Sequence, residues 1–395
     1  MITKKESILI LLLILDILYR VYIPDKLAHS QNIKEYEEYI NNCKKYKRYN
    51  RKKIINSIPY ISVCLPAYNM EEYIEKTLLS IINQSFQDFE IIIVNDNSND
   101  NTLDILNKMK LEDQRIKIIN HENNKGVYFS RIEAIQNSNS QYIILMDPDD
   151  MYLNINLFEE LYNYNLRYNL DIIEFTVLHQ VEGRKRIFYP KYNSQSHYHN
   201  FSKQIIEQPE LSTILFKDPN TNRYRRLICR NIWNKMIRRT IFKEMYEYIG
   251  INYFNDYIIT ADDMAMNIII YHFANNYSNI DIPGYMYTIR QVSMSRGDGG
   301  ERLLSLRATN NFYYFDIFYK YIKEFNIQRK SLFYEIRNLK KFLYLIKDLN
   351  VNSHENNVKT FLNEILDDSL ANKVFKYFAN EILLYFEEDI KVDIL

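Results

Sequence analysis

YISVCLPAYNMEEYIEKTLLSIINQSFQDFEIIIVND, residues 60–96, changes its hydrophobic period twice, and those changes decide the fold. Ile61, Val63, Cys64 and Leu65 form a short apolar run that Pro66 stops, which reads as a buried strand. Ile74, Leu78, Ile81 and Ile82 then recur at helical spacing, with Glu71 and Glu72 in the first turn, where the helix dipole favours anions. FEIIIVND (89–96) is a second continuous apolar strand. Cys64, inside the first run, reads as a small buried hydrophobe.

The alternation continues outward. NSNDNTLDILNKMK (97–110) offers Ser98, Asn99 and Asp100 as cap chemistry before a helix, and RIKIIN (115–120) is a third strand. KGVYFSRIEAIQNS (125–138) reads as a helix led by Gly126, QYIILMD (141–147) as a fourth strand, and NINLFEELYNYNL (154–166) as the helix after it. This pattern predicts an α/β fold, a mainly parallel sheet with helices on both faces. Such sheets bind ligands outside the carboxyl ends of their strands. Tyr68, Asp96, Asp147, Asp149 and Asp150 all fall there.

Beyond LDIIEFTV (170–177) the periodicity weakens as far as residue 230. His197 and His199 lack a cysteine or carboxylate at ligand spacing and read as loop residues. A helix returns around TADDMAMNIIIYHFA (260–274), and a series of amphipathic helices follows Glu301. The division is a leader or anchor over 1–23, a basic stem over 24–58, the α/β domain over 59–300 and a helical extension over 301–395.

Fifty basic residues balance fifty acidic ones, so no global field attracts nucleic acid. Three dispersed cysteines form neither a zinc site nor a disulfide framework. The richness in Asn, Ile, Lys and Tyr looks like codon bias, which lowers the weight of any single residue of those types. Near the start, Lys4 and Lys5 precede eight apolar residues, Ile8 to Leu15, before Asp16 interrupts. A spanning helix wants roughly 20, so residues 8–23 suit a signal peptide or weak signal-anchor, with an amphipathic surface helix as the other reading. Membrane association and a secretory-pathway location, membrane or lumen, are the expectation; the cytoplasm is the alternative. The basic run CKKYKRYNRKK (43–53) fits a solvated stem.

Seven segments resemble family 2 glycosyltransferases with the GT-A fold, in the family's order, across about residues 60–296. They are SVCLPAYN, FEIIIVNDNSND, NNKGVYFSRIEAI, YIILMDPDD, WNKMIRRTIF, TADDMAMNI and YMYTIRQVSMSR. The resemblance implies a Rossmann-like nucleotide-diphospho-sugar transferase sheet, a nucleotide-sugar donor and a metal held by the D-x-D strand. It implies Asp149 as the direct ligand of Mn²⁺ or Mg²⁺, with Asp147 addressing the ribose or the metal. Residues two apart in an extended segment face the same way, so Asp147 and Asp149 share one side. Asp150 either joins them or caps the next helix.

Pro66 and Tyr68 match the base-binding loop, where an aromatic ring stacks on a base. Asp96 suits the N–H of a uracil ring, which selects uridine over cytidine. Arg131 and Lys125 either contact phosphates or lie on a solvated helix face. The family's Glu-Asp pair is Asp262-Asp263 here, and Asp263 matches the catalytic base of an inverting transfer. Trp233 serves an acceptor platform or ordinary packing. Arg290, Ser293, Ser295 and Arg296 suit a loop over the diphosphate. The acceptor is a hydroxyl on a glycan, lipid or protein. A catalytically silent nucleotide-sugar binder or scaffold is the competing reading. A dinucleotide-binding dehydrogenase is excluded by the absence of G-x-G-x-x-G after the first strand.

Overall fold

The computed structural model describes residues 58–182, 187–188, 205–208, 231–249 and 262–290, with the backbone alone for Ile187, Phe188, Tyr248, Ile249, Asp262, Met264, Ala265, Ile268 and Asp281. The N-terminal segment, nearly all of the stem, the helices expected after residue 300, and His197, His199, Ser293, Ser295 and Arg296 lie outside the described residues. Among those described, no helix is long and apolar enough to cross a membrane.

Seven elements follow the alternation read from the sequence. They are β1 (Ile61–Ala67), α1 (Ile74–Ile82), β2 (Phe89–Asn95), α2 (Thr102–Glu112), β3 (Ile116–Asn120), α3 (Val127–Gln136) and β4 (Tyr142–Leu145). The strands lie in the order β3-β2-β1-β4, all parallel. The chain builds outward from β1 to β3, then returns to place β4 on the other side of β1. The switch point of the topology therefore lies between β1 and β4.

Ile61, Val63 and Leu65 join Phe89, Ile91 and Ile93 in one core with Ile74, Leu78 and Ile81 of α1 and Leu106 and Met109 of α2. Full burial of each such aliphatic side chain contributes roughly 1.5–3 kcal/mol. The alternate positions face α3, which packs on β1 and β2. Cys64 is fully buried, and burial pushes its thiol well above its ordinary value. Pro66 is tolerated inside a central strand because the pairing with β4 ends at Cys64.

The rest of the sheet is mixed. It comprises β5 (Met151–Tyr152), β6 (Ile172–Val181), β7 (Ile187–Phe188), β8 (Ile205–Glu207), β9 (Lys235–Arg238) and β10 (Asn276–Ile289), with α4 (Leu157–Tyr168), α5 (Arg239–Ile249) and α6 (Asp262–Phe273). The order continues β4-β9-β6-β10-β5, with β9 antiparallel to both β4 and β6, while β6 and β10 pair in parallel. KMIR, within the segment WNKMIRRTIF, thus supplies the strand that joins the two parallel halves. Lys235 and Glu174, both fully buried, face each other there at 3.5 Å. Tyr271 donates to the same carboxylate, and Asn234 Oδ1 accepts from the ammonium. A β-bulge in β10 brings Gly284 against Leu157, where an added Cβ would lie 2.6 Å from Leu157 Cδ1.

The loops after β1 and β2 cap each other's helices. Glu71 N donates to Asp100 Oδ2, while Asn101 N and Nδ2 donate to Glu71 Oε2. Asn69 N donates to Ser98 Oγ, Asn99 N to Asn69 Oδ1, and Met70 N to Thr102 Oγ1. Asn69 and Asn97 take left-handed φ of 53° and 59°, which Asn tolerates better than most side chains. Asp100 also accepts from Thr102 N. Burial works to raise the Asp100 carboxyl, but these hydrogen bonds outweigh it and hold it below its usual range. Asp100→Ala is expected to cost about 1 kcal/mol in urea unfolding at pH 7. Because the folded carboxyl is depressed, its stabilisation is complete above the unfolded value, near pH ~4, and fades below it. The gap between the two proteins should therefore narrow as pH falls; a gap independent of pH would refute this account.

Candidate active site

The turn DPDD hangs from the end of β4. Met146 N extends the ladder to Cys64 O, and Asp150 N closes the turn onto Asp147 O at 3.3 Å. Thr77 of α1 lies under it, its hydroxyl 2.8 Å from both Pro148 O and Asp150 O. From the other side, Tyr285 and Thr288 of β10 hold Asp150. Tyr285 OH donates to Oδ2 and Thr288 N to Oδ1, each at 2.7 Å, and Asp147 N donates to the Tyr285 oxygen. Asp150 is 1% exposed, so it neither caps α4 nor reaches a ligand; it fastens the turn to β10. Burial, then the charges of Asp149 and Asp147, push its carboxyl well above the ordinary value.

Asp147 and Asp149 keep the exposed side of the turn. Arg131 Nη2 lies 2.6 Å from Asp147 Oδ1, and Arg290 Nε 2.6 Å from Asp149 Oδ2. Burial raises the Asp149 carboxyl to about 6, with Arg290 opposing and Asp147 adding to the rise. The two side chains are only partly exposed, 22% for Asp147 and 15% for Asp149, so hydration screens their charges incompletely. Arg290 directly follows β10, its guanidinium carbon 5.0 Å from the centre of the Tyr73 ring. The Tyr73 hydroxyl donates to Glu182, and that bond, with burial, raises the phenol to about 12.

Beside this turn, across the switch point, lie the ends of β1 and β2. Pro66 is buried in β1 and the ring of Tyr68 is half-buried just beyond it. Asp96 is 3% exposed and already holds three donors: Lys125 N and His121 Nδ1 on Oδ1, Gly126 N on Oδ2. It tethers the entrance of α3, where Gly126 takes a φ of 90° that a side chain would strain. The sequence reading sets Asp96 toward a base edge; its Oδ2 accepts one donor here, of the two that a carboxylate oxygen can take. The Lys125 ammonium reaches Glu133 at 3.5 Å.

Trp233 is 5% exposed and stacks on Tyr285 at 4.5 Å and on Tyr287 at 5.4 Å between ring centres. Its ring belongs to the core, which corrects its reading as an acceptor platform. Asp263 stands half-buried in the first turn of α6, its main-chain oxygen accepting from Asn267 Nδ2 at 2.9 Å. Sequence reading missed Thr77, Tyr285, Thr288 and His121. The available signal was position: His121 directly follows β3, and its N continues the ladder onto Asn95 O.

Among the described residues no group of three or more His, Cys, Asp or Glu side chains gathers at metal-binding distance. Mg²⁺ and Mn²⁺ do not need one, since one or two carboxylates with waters and substrate phosphates suffice. Asp147 and Asp149 are hard oxygen donors, each with one oxygen outside its arginine pair, so the residues present fit such an ion.

Several known proteins are similar to this chain. Residues 62–246 match the family described as Glycosyl transferase family 2. The chain is 26% identical over 238 residues to glycosyltransferase GlyA of Streptococcus pneumoniae, covering 60% of this chain and 31% of that one. It is 27% identical over 230 residues to the uncharacterized glycosyltransferase EpsJ of Bacillus subtilis, covering 58% and 61%. The matched region thus spans about a third to three-fifths of these relatives. Staphylococcus aureus TarS residues 1–349, solved with UDP, aligns at TM-score 0.48 and 19% identity over 85% of this chain and 94% of that one. The stretch that is similar to glycosyl transferase family 2, residues 62–246, carries the strands β1 to β4 and the aspartate turn described above.

Proposed function

We propose that this chain is a metal-dependent, inverting glycosyltransferase that moves a sugar from a UDP-sugar to an acceptor hydroxyl. The observation that carries the reading is the turn at the switch point. There Asp147 and Asp149 face outward, each beside a guanidinium, while Asp150 is bound away into β10. Asp147 and Asp149 would hold Mn²⁺ or Mg²⁺, and the ion, when bound, supplies charge neutralisation for the departing diphosphate. Tyr68 stacks on the base, and Asp96 accepts its ring N–H. Arg131 and Arg290, already paired with carboxylates, are placed to share their charge with phosphate oxygens. Asp263 takes the proton of the acceptor hydroxyl as its oxygen bonds to the anomeric carbon. The bond from that carbon to the diphosphate breaks in the same displacement, UDP leaves, and the configuration inverts.

One observation favours a catalytically silent nucleotide-sugar binder. Arg131 and Arg290 each neutralise a carboxylate that the reaction needs for metal. A screen of UDP-, GDP- and TDP-sugars for slow hydrolysis, with Mn²⁺ and then with chelator, separates the two readings. UDP-sugar hydrolysis that the chelator removes is expected. Binding of UDP-sugar without any turnover would support the silent protein, and hydrolysis that ignores the chelator would remove the metal from the proposal.

A further inference from the structure

His121 sits one residue past β3, its side chain 1% exposed, with a carboxylate on each ring nitrogen. Nδ1 lies 2.6 Å from Asp96 Oδ1 and Nε2 lies 2.7 Å from Glu133 Oε2. Ionised carboxylates only accept, so the ring meets Asp96 and Glu133 as a hydrogen-bond donor. Burial works to raise the Glu133 carboxyl, but the hydrogen bond from His121 and the charges of His121 and Lys125 outweigh it and hold it low. Asp96, His121, Glu133 and Lys125 together form one connected cluster at the entrance of α3.

A carboxylate offers about four acceptor positions. On Asp96, Lys125 N, Gly126 N and His121 fill three. The backbone donors fix the α3 loop to Asp96. His121 is the only side chain among the described residues seen to hold the carboxylate itself, and Glu133 holds His121 from helix α3. The fourth position, on Oδ2, is left for one incoming N–H.

We propose that His121 is a positioning residue for nucleotide selection, a buried imidazole that sets the Asp96 carboxylate to accept a single ring N–H from the base. The inference rests on the donor reading above and adds a residue to it. A uracil ring offers an N–H at the edge where cytosine offers a bare nitrogen. Setting the carboxylate rigidly therefore favours uridine twice, by the bond made and by repulsion of the competitor.

The test is titration calorimetry of UDP and CDP, with Mn²⁺, on wild type, Asp96→Asn, His121→Phe, His121→Gln and Glu133→Gln. Phe keeps the volume and removes both donors. Gln at 121 keeps a donor, and Glu133→Gln leaves His121 in place without its outer anchor. Wild type is expected to prefer UDP, and His121→Phe to reduce that preference at least tenfold. His121→Gln and Glu133→Gln should fall between them. Should His121→Phe fail to fold, the two Gln variants decide: an unchanged preference in both overturns the proposal. Imidazole added to His121→Gly should restore part of the preference, which a purely structural role would not predict. A wild-type preference retained in His121→Phe, with loss in Asp96→Asn, overturns the inference and leaves the donor reading standing. A wild-type chain that binds neither nucleotide overturns the donor reading and this inference with it.

Discussion

Replacing Asp149 by Asn is expected to lower sugar transfer about a thousandfold, since Lewis-acid stabilisation of a leaving diphosphate is worth several kcal/mol. Asn keeps the size and loses the charge, so the stabilisation of the protein by UDP with Mn²⁺ should fall to that seen with UDP and chelator. In chelator the order should reverse. Arg290, whose Nε lies 2.6 Å from Asp149 Oδ2, would lose its counter-charge and become available to the diphosphate. The variant should then bind UDP at least as tightly as wild type. It should also unfold at a higher temperature at pH 7 without metal. Burial raises the folded Asp149 carboxyl to about 6, above its unfolded value, so the ionised form strains the fold at neutral pH. That gain should disappear below roughly pH 4, where the carboxyl is protonated in both states. Thermal unfolding with UDP, Mn²⁺ and chelator reads all three effects. Wild-type Mn²⁺ dependence in the variant would remove Asp149 from the metal site.

The half of the sheet that carries β1 to β4 was legible because each strand is a continuous apolar run, and each helix between them shows its own period. The register of the site followed from that half, since the end of a strand is visible as the first polar residue. The second half was not legible for physical reasons. β9 is four residues, KMIR, with a lysine inside, and a charged residue reads as solvent-facing until its partner is known. That partner, Glu174, lies far away in sequence on β6, and only the pairing of β6 with β9 brings the two together. Trp233 misled for a related reason. A lone tryptophan draws attention, while the two tyrosines it stacks on belong to a strand about 50 residues later. Composition hid a third feature. In so Asn-rich a chain Asn69, Asn97 and Asn169 carried no weight, yet all three hold left-handed positions.

The three aspartates of DPDD show what spacing can and cannot decide. The period of two put Asp147 and Asp149 on one side, and the structure leaves both carboxylates there with exposed edges. It could not say whether Asp150 joined them. That was settled by Tyr285 and Thr288, on a strand more than 130 residues away, which take both oxygens of Asp150. The turn is therefore held from β10 as firmly as from β4. Any movement of β10 would be felt at Asp147 and Asp149, because Arg290 directly follows the same strand.

Asp263→Asn should lower kcat by about 10²–10⁴, the usual contribution of a positioned general base, while the UDP dissociation constant stays at its wild-type value. The split between kcat and binding is what separates two roles for a carboxylate at the start of α6. A carboxylate that only complements the helix dipole contributes about 0.3–1 kcal/mol to stability and nothing to turnover. A base contributes to turnover whatever its effect on stability. The helix itself should survive the change, since Met266, Asn267, Ile269, Ile270 and Tyr271 are buried and hold α6 in place. Asp262→Asn is the internal comparison, because the two residues share the dipole but not the matching position in the family. If Asp263 is the base, Asp262→Asn keeps most of the transfer rate while Asp263→Asn loses it. If instead both variants transfer sugar at the wild-type rate and lose only a few degrees of thermal stability, the pair is a helix terminus. The proton must then leave by another route.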